Sequence, residues 1–395
     1  MIMANVFEEL NIGSMKVANR IIRSATHEGM TDSDNNPNDD MLALYEKLSS
    51  GGAGAIITGY AGVRKDGMAP TPNMLMFDSD SHIDGFRKIT EGIDQTKTPL
   101  ILQLAHCGRQ TRRAVTGHQP IAPSAIKDGL YNEEIPIELT EPEINGVILS
   151  FVDAAERAKK AGFNGVQIHA AHGYLLSSFL SPHMNHRTDR WGGSTENRFR
   201  IIGKIAEGIR ERIGDFPMLI KINCFEKSRN GVKPDESVII AKLCESAGFD
   251  GIEVSCGIME EGMVMCRGSI PIETMLNTTF RFKNMSSASK VFAKAYVSMK
   301  MGSPAPRNLY NLEAAMKIKK SVSIPVIVVG GIREFSDIEK ILTNDLCDAI
   351  SMSRPFVAEP DIVNKFRGSG GSSECTNCNI CLIRAEGHTL RCYRA

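Results

Sequence analysis

Two histidines three residues apart, with a tyrosine just beyond them, stand in "HAAHGYLLSSFLSP" (169–182), although the 395-residue chain has only 9 histidines and 7 tyrosines. A histidine kept for packing is usually single and set among aliphatics. His169, His172 and Tyr174 look instead like groups aimed at one small object. Two imidazole N–H groups converging on one oxygen would polarise a carbonyl or hold a phenolate. A tyrosine a little further on could then deliver a proton from the opposite side. Zinc is the rival use of two such histidines, but this stretch offers no third ligand nearby.

Groups of this kind need elements that aim them. One pattern recurs along the chain: a helix ending in Ala-Gly or Gly-Gly, a short apolar run, then a polar loop. "GGAGAIITGY" (51–60), "AGFNGVQIHA" (161–170) and "AGFDGIEVSC" (247–256) are near copies. The glycine is a helix C-cap feeding a buried strand. "NRIIRSA" (19–25), "TPLILQLAH" (98–106), "FPMLIKINC" (216–224), "IPVIVVGG" (324–331) and "CDAISMSRP" (347–355) complete a set of eight strands. Helices separate most of them. The clearest starts at "TEPE" (140–143), where Thr140 and Glu143 form a capping box ahead of an apolar stripe from Ile144 to Ala158. Another begins at Ser194. Strand–helix alternation repeated eight times predicts a parallel sheet closed into a (β/α)8 TIM barrel, with a doubly wound open sheet as the alternative.

A barrel of this class carries its site at the C-terminal ends of the strands. The residues leaving the strands are Thr26 and His27, Gly59 and Tyr60, Gln103 and His106, the histidine–tyrosine group, Lys221 and Asn223, Ser255, Gly330 and Gly331, and Ser353 and Arg354. The strands are apolar, yet this ring is polar or glycine. Strands seven and eight are the usual phosphate position. Gly330 and Gly331 would let backbone N–H groups approach an anion, and Arg354 adds a two-pronged contact. Gln103 offers a donor and an acceptor to a pyrimidine-like ring edge. Lys221 ends a buried strand and calls for an anion over it.

The stretch "HAAHGYLLSSFLSPHMNHRTDRWGGSTENR" (169–198) resembles the signature of the Old Yellow Enzyme family of FMN-dependent oxidoreductases. The likeness runs from "FEELNIGSMKVANRIIRSA" (7–25) to "AISMSRPFVAEPDI" (349–362), and its style is that of the barrel of 2,4-dienoyl-CoA reductase-like members. It implies an NAD(P)H:flavin oxidoreductase that reduces an activated C=C bond of an enone or enoate. By the resemblance, His169 and His172 bind the substrate's activating oxygen and Tyr174 is the proton donor. Gln103 reads the flavin pyrimidine, and Thr26 or His27 lies near the flavin C4 oxygen. Gly330, Gly331, Ser353 and Arg354 hold the phosphate, and Ser24, Ala25, Gly59 and Lys221 complete the flavin set. The chain departs from the pattern at three positions: Lys221 for an arginine, Ser353 for a glycine, and Trp191 for a tyrosine. Two other readings stay open: an amine or C–H dehydrogenase on the same flavin, and a ligand-binding barrel without turnover.

Cys375, Cys378, Cys381 and Cys392 cluster in the last 21 residues as C-x2-C-x2-C-x10-C. The first three match the spacing of a [4Fe–4S] cluster, and the resemblance points the same way, since its larger members carry one at the barrel's end. Zinc held by four thiolates and unligated thiols are the alternatives. The reading divides the chain into a flavin barrel, 1–367, and a cysteine-rich tail, 368–395, with "GSGGSSE" (368–374) as slack between them. The chain ends at Ala395, so no second dinucleotide-binding domain is expected. Residues 257–310, between strands six and seven, form a long insertion. Its Met259, Met263, Met265, Met275, Met285, Met299 and Met301 suit an adaptable lid.

Forty-six basic residues balance 46 acidic ones. That argues against a nucleic-acid or anionic-membrane surface. "MIMANVFEEL" lacks the zones of a signal peptide, and no apolar run approaches the ~18 residues of a membrane span. The expectation is a cytoplasmic homo-oligomer acting on a small molecule.

Overall fold

Eight strands pair side by side in parallel, and the last returns to the first. In order along the chain these are β1 Ile21–Arg23, α1 Asp39–Ser50, β2 Ala55–Ile57, α2 Ile83–Gly92, β3 Leu100–Ala105, α3 Glu141–Lys160, β4 Gly165–Ala170 and α4 Thr195–Ile213. Then come β5 Met218–Asn223, α5 Pro234–Ser246, β6 Gly251–Ser255, α6 Leu312–Lys319, β7 Val326–Val329, α7 Phe335–Thr343, β8 Ala349–Met352 and α8 Ile362–Ser369. Each strand pairs with the next, and β8 pairs with β1 through Ile350 and Ile21. The sheet is closed, as the eightfold alternation predicts, and the open-sheet alternative falls. This computed structural model describes residues 6–71, 73–95, 97–130, 134–300 and 307–394.

Local signals act as the sequence implies. Glu143 Oε2 accepts from both the amide and the hydroxyl of Thr140, each at 2.7 Å, at the start of α3. Ser194 Oγ accepts from the Asn197 amide at the start of α4.

Strand side chains alternate with period two, so every second residue points into the barrel. The lowest inward layer is apolar: Ile22, Ile101, Leu219, Ile327 and Ala349 pack with Ile12, Met15 and Val17. Those last three belong to an antiparallel hairpin, Leu10–Ile12 with Met15–Val17, which plugs the N-terminal end. One step further along six of the strands the inward set turns polar: Ser24, Gln103, Gln167, Lys221, Glu253 and Ser351, all buried. Two further on stand Thr26, His169, Asn223, Ser255 and Ser353. The layering converts strand alternation into a ladder from core to site.

The segment after α8 is not slack. The Phe335 amide donates to Gly371 O at 2.9 Å, Ser372 bridges to Glu334, and the Glu374 amide donates to Glu359 Oε2 at 2.6 Å. The tail then crosses the C-terminal face. It meets the insertion where the Ser269 amide donates to Asn377 O, and the β1 exit where the Leu390 amide donates to Glu28 O at 2.7 Å. Among the described residues no helix is long and apolar enough to cross a membrane.

Candidate active site

A cavity of about 270 Å³ opens at the C-terminal ends of the strands. Ser24, Ala25, Thr26 and His27 line it from the β1 exit, Lys221 from β5, and His172 and Tyr174 from the β4 loop. Gly330, Gly331, Ser353 and Arg354 line it from the exits of β7 and β8. Eleven of the expected site residues therefore meet at one place. Gly59, Gln103 and His169 are not among the lining residues. Gly59 donates its amide to Glu28 Oε1 at 3.0 Å, and a Cβ there would strike Glu28 Oε2 at 1.9 Å. Gln103 Nε2 donates to Gln167 Oε1 at 2.6 Å, one layer down. His169 packs edge-on against His172 and Tyr174, with ring centroids at 5.1 and 4.9 Å.

The histidine pair is held in one protonation state. Burial, the neighbouring His172 and Lys221 push the pKa of His169 well below the usual range. Burial and Lys221 bring His172 down to about 3, against a small opposing pull from Glu253. Both rings are neutral at ordinary pH. His169 Nδ1 accepts from the Ala171 amide at 3.3 Å, so its proton sits on Nε2. His172 Nε2 lies 2.8 Å from Ser255 Oγ, which fixes the second ring. His172 itself has φ of +65°, in the left-handed region. That conformation costs about 1–3 kcal/mol in a non-glycine residue. Asn223 Oδ1 accepts its amide at 3.2 Å, and its carbonyl accepts from Gln110 Nε2 at 3.0 Å. The strain is thus held from two sides.

Tyr174 shares a hydrogen bond with Tyr60, whose ring centroid lies 5.5 Å away. Tyr60 in turn stacks on His27 at 5.3 Å. His27 is half-buried, and its Nε2, itself shielded from solvent, has no hydrogen-bond partner. Thr26 Oγ1 donates to Ser24 O at 3.0 Å and meets Ser353 Oγ at 2.8 Å, which ties the exits of β1 and β8 together.

Lys221 corrects one expectation. Its anion is already present: Nζ stands 3.1 Å from Glu253 Oε2 and 3.0 Å from Ser24 Oγ. Glu253 also receives Ser24 and Ser351 hydroxyls at 2.6 Å and the Gln167 amide at 2.8 Å. Burial alone would raise the Glu253 pKa, but Lys221 and these donors outweigh it and lower it. Arg354 is likewise engaged: Nη1 donates to Asn379 Oδ1 at 2.6 Å and Arg267 O at 3.1 Å. Arg333, two residues after the glycine pair, also lines the cavity and was not among the expected phosphate ligands.

Gly330 and Gly331 form a cradle. A Cβ on Gly330 would stand 2.6 Å from the Tyr310 ring, and one on Gly331 2.5 Å from Arg307 O; their φ values are +128° and +75°. Only glycine fits there. Within the insertion, Met259, Met263 and Met265 face the cavity. Met275 instead packs with Leu276, Phe282 and Val297, Met285 and Met299 are exposed, and Met301 lies outside the described residues. The tail also contributes to the wall, through Asn377, Leu382, Ile383 and Glu386. Nothing in the sequence pattern pointed to that.

A second cavity, of about 210 Å³, is lined by Cys375, Cys378, Cys381, Cys392 and Asn379, and Arg354 lines both it and the first. Among the described residues, no three His, Cys, Asp or Glu side chains stand close enough to share one metal ion.

Residues 5–239 and 258–369 match the model of the NADH:flavin oxidoreductase / NADH oxidase family. The chain is 33% identical over 396 residues to an NADH oxidase of Thermoanaerobacter brockii, covering 98% of this chain and 55% of that protein. It is 30% identical to an NADPH dehydrogenase of Clostridium acetobutylicum, covering 91% and 93% of the two chains. Among solved structures, a 2-naphthoyl-CoA reductase in complex with 2-naphthoyl-CoA superposes with a TM-score of 0.83 at 24% identity, over 98% of this chain and 56% of that one. An Old Yellow Enzyme homologue from Zymomonas mobilis gives 0.72 at 23%, over 95% and 96%. The chain thus spans little more than half of the NADH oxidase and of the naphthoyl-CoA reductase.

Proposed function

Because the chain belongs to the NADH:flavin oxidoreductase / NADH oxidase family of oxidoreductases, we propose that it binds FMN and uses NAD(P)H to reduce an activated C=C bond. The observation that carries this reading is that neutral His172 and Tyr174 meet on the cavity, with neutral His169 packed edge-on against both, above the Lys221–Glu253 layer.

The residues fit the cofactor. The Gly330–Gly331 cradle leaves room for an anion to approach backbone amides, with Arg333, Ser353 and Arg354 beside it. The unpartnered Nε2 of His27 supplies a buried polar contact for a heteroaromatic edge. Lys221 presents N–H donors along the same wall. The Thr26 and Ser24 hydroxyls, which donate to Ser24 O and Glu253, present acceptor oxygens, and Gln103 lies one layer below, bonded to Gln167. FMN, when bound, supplies the hydride chemistry. The chain's own part is to bind and protonate. His169 and His172, both neutral, donate N–H groups to the oxygen of an enone or enoate, which draws electron density from the β-carbon. Tyr174 gives its hydroxyl proton to the α-carbon, with Tyr60 holding its orientation.

We also propose a [4Fe–4S] cluster on Cys375, Cys378, Cys381 and Cys392. Zinc at 2.3 Å from each thiolate would draw sulfurs to about 3.8 Å of one another. What supports a cluster over zinc is the C-x2-C-x2-C spacing of the first three cysteines, with all four lining one cavity of about 210 Å³.

The test is one anaerobic preparation. Its visible spectrum should show flavin, the flavin should be bleached by NADH or NADPH, and 2-cyclohexenone should restore the colour. Phenols should give a long-wavelength charge-transfer band with the oxidised protein. Bound flavin that neither nicotinamide reduces would overturn the reading.

A further inference from the structure

Opposite the strand ends, the cavity wall is mostly apolar, built from Met259, Met263, Leu382 and Ile383. Two tail residues, Asn377 and Glu386, are polar, and only Glu386 is ionisable. Glu386, from the tail, lines the cavity, and its Oε2 is buried without a hydrogen-bond partner. The carboxyl is fixed at a junction of three segments. The Phe280 amide of the insertion donates to it, and Arg112, from the segment after β3, faces it as a cation. Arg112 is itself pinned: Nε and Nη2 donate to Pro70 O at 3.1 and 2.7 Å, and its guanidinium lies 3.7 Å over the Phe280 ring. The Glu386 Oε2, shielded from water in a residue that lines the cavity, lacks the partner that buried polar atoms ordinarily have.

We infer that Glu386 selects substrate, by accepting a hydrogen bond from a hydroxyl or amide N–H carried at the far end of the molecule whose activating oxygen sits on His169 and His172. The inference rests on the proposed substrate site. It makes the ligand two-ended: an acceptor oxygen at the histidines and a donor at the tail, with apolar body between. A site built to bond a substrate hydroxyl rejects the analogue lacking it far more strongly than an apolar pocket rejects one methylene.

Burial pushes the Glu386 pKa up to about 7, against opposing pulls from the Phe280 amide and Arg112. The ionisable groups facing it are Arg112 and the Tyr60 hydroxyl. Arg112 stays a cation and Tyr60 stays neutral from about pH 6 to 8. The carboxyl is therefore the group that changes across that range, and its anionic form is the stronger acceptor.

The probes are para-substituted phenols titrated against the oxidised holoprotein, read by the charge-transfer band. 4-(Hydroxymethyl)-, 4-(2-hydroxyethyl)- and 4-(3-hydroxypropyl)phenol are compared with 4-ethyl-, 4-propyl- and 4-butylphenol. In at least one pair the alcohol should bind about tenfold to a hundredfold tighter than its alkyl isostere. That ratio should grow as pH rises through about 7; taking the ratio cancels the ionisation common to both phenols. Glu386→Leu should bring the ratio to one or below. Glu386→Gln should keep a smaller preference that no longer varies with pH, and it decides the matter if the leucine variant fails to retain flavin. Alcohols and alkyl phenols binding alike, or a glutamine variant with the wild-type pH rise, would overturn the inference. Phenols giving no band at all would strike the histidine site instead.

Discussion

Lys221 Nζ stands 3.1 Å from Glu253 Oε2 on the neighbouring strand, with both side chains almost fully buried. A lysine expected to lend net positive charge to a cofactor is half of a neutral pair. The two halves should therefore act in opposite directions on a bound flavin, whose reduced form carries negative charge. Lys221→Met leaves an unbalanced carboxylate and should make the potential more negative. Glu253→Gln leaves an unbalanced cation and should make it more positive. A shift of about 30 mV either way corresponds to about 1.4 kcal/mol for a two-electron couple. Equilibrium redox titration of both variants checks this; shifts of the same sign would place the pair away from the flavin. Each single variant should also lose about 3–5 kcal/mol of stability, and the double variant less.

Neutral histidines make the protein sensitive to acid. The folded pKa of His172 is lowered to about 3, while an unfolded histidine titrates near 6.5. Between those values the unfolded chain binds the extra proton, so stability is present above about pH 6.5 and is lost as pH falls toward 3. From pH 7 to 5 the loss should be about 2 kcal/mol for each such histidine. His169, lowered in the same direction, adds to it. Urea unfolding of wild type and His172→Asn at the two pH values is the measurement. An unchanged slope in the variant would mean that His172 is protonated in the folded protein.

The same histidine should matter for binding. His172→Ala removes one of two N–H groups on the substrate oxygen, and losing such a donor costs about 2.7–4 kcal/mol in the transition state. Flavin content should hold, while phenol charge-transfer complexes weaken and enone turnover falls. Phenol affinity equal to wild type would sink the assignment.

Tyr174→Phe separates the two half-reactions. Reduction of the flavin by NAD(P)H uses no proton from Tyr174 and should keep its rate. Reoxidation by an enone should slow by about 10²–10⁴. Stopped-flow absorbance reads the two steps independently, and equal slowing of both would point to a distorted cavity.

How far the chain could be read follows from what alternation and motif do and do not encode. The eight strands were legible because each is a short apolar run, three of them behind an Ala-Gly or Gly-Gly helix end, and all eight lie inside the expected stretches. His172, Tyr174, Gly330 and Gly331 were legible because they follow strands directly. Gln167 and Glu253 were missed, though each sits two residues before a site residue, the inward spacing of a strand; a polar residue inside "GVQIHA" or "GIEVS" was the available signal. Arg354 was read as a free phosphate ligand because no local pattern announces Asn379 as its partner. Glu386 and Leu382 reach the cavity only because the tail folds back over the barrel, and contacts that distant leave no periodic trace.

The tail gives the last prediction. Cys375, Cys378, Cys381 and Cys392 face one cavity, and the short helix Ile380–Arg384 that carries Cys381 also carries Leu382 and Ile383 into the other. Arg354 lines both, joined to the tail by its bond to Asn379. If the four thiolates hold a cluster, anaerobic protein should contain about four irons per chain and absorb broadly under the flavin bands. All four cysteines should resist alkylation until iron is chelated. Removing the group should also loosen the helix, so the Leu382 and Ile383 wall should move with it. The phenol charge-transfer band should then weaken on chelation even though His169, His172 and Tyr174 are untouched. Cys381→Ser should reproduce that weakening, whereas Cys347→Ser, at a buried cysteine remote from the tail, should not. One zinc per chain would replace the cluster by a structural staple without altering the coupling. Neither metal, four freely reactive thiols and an unmoved phenol band together would dismiss the ligand site and leave the barrel and its histidine pair standing.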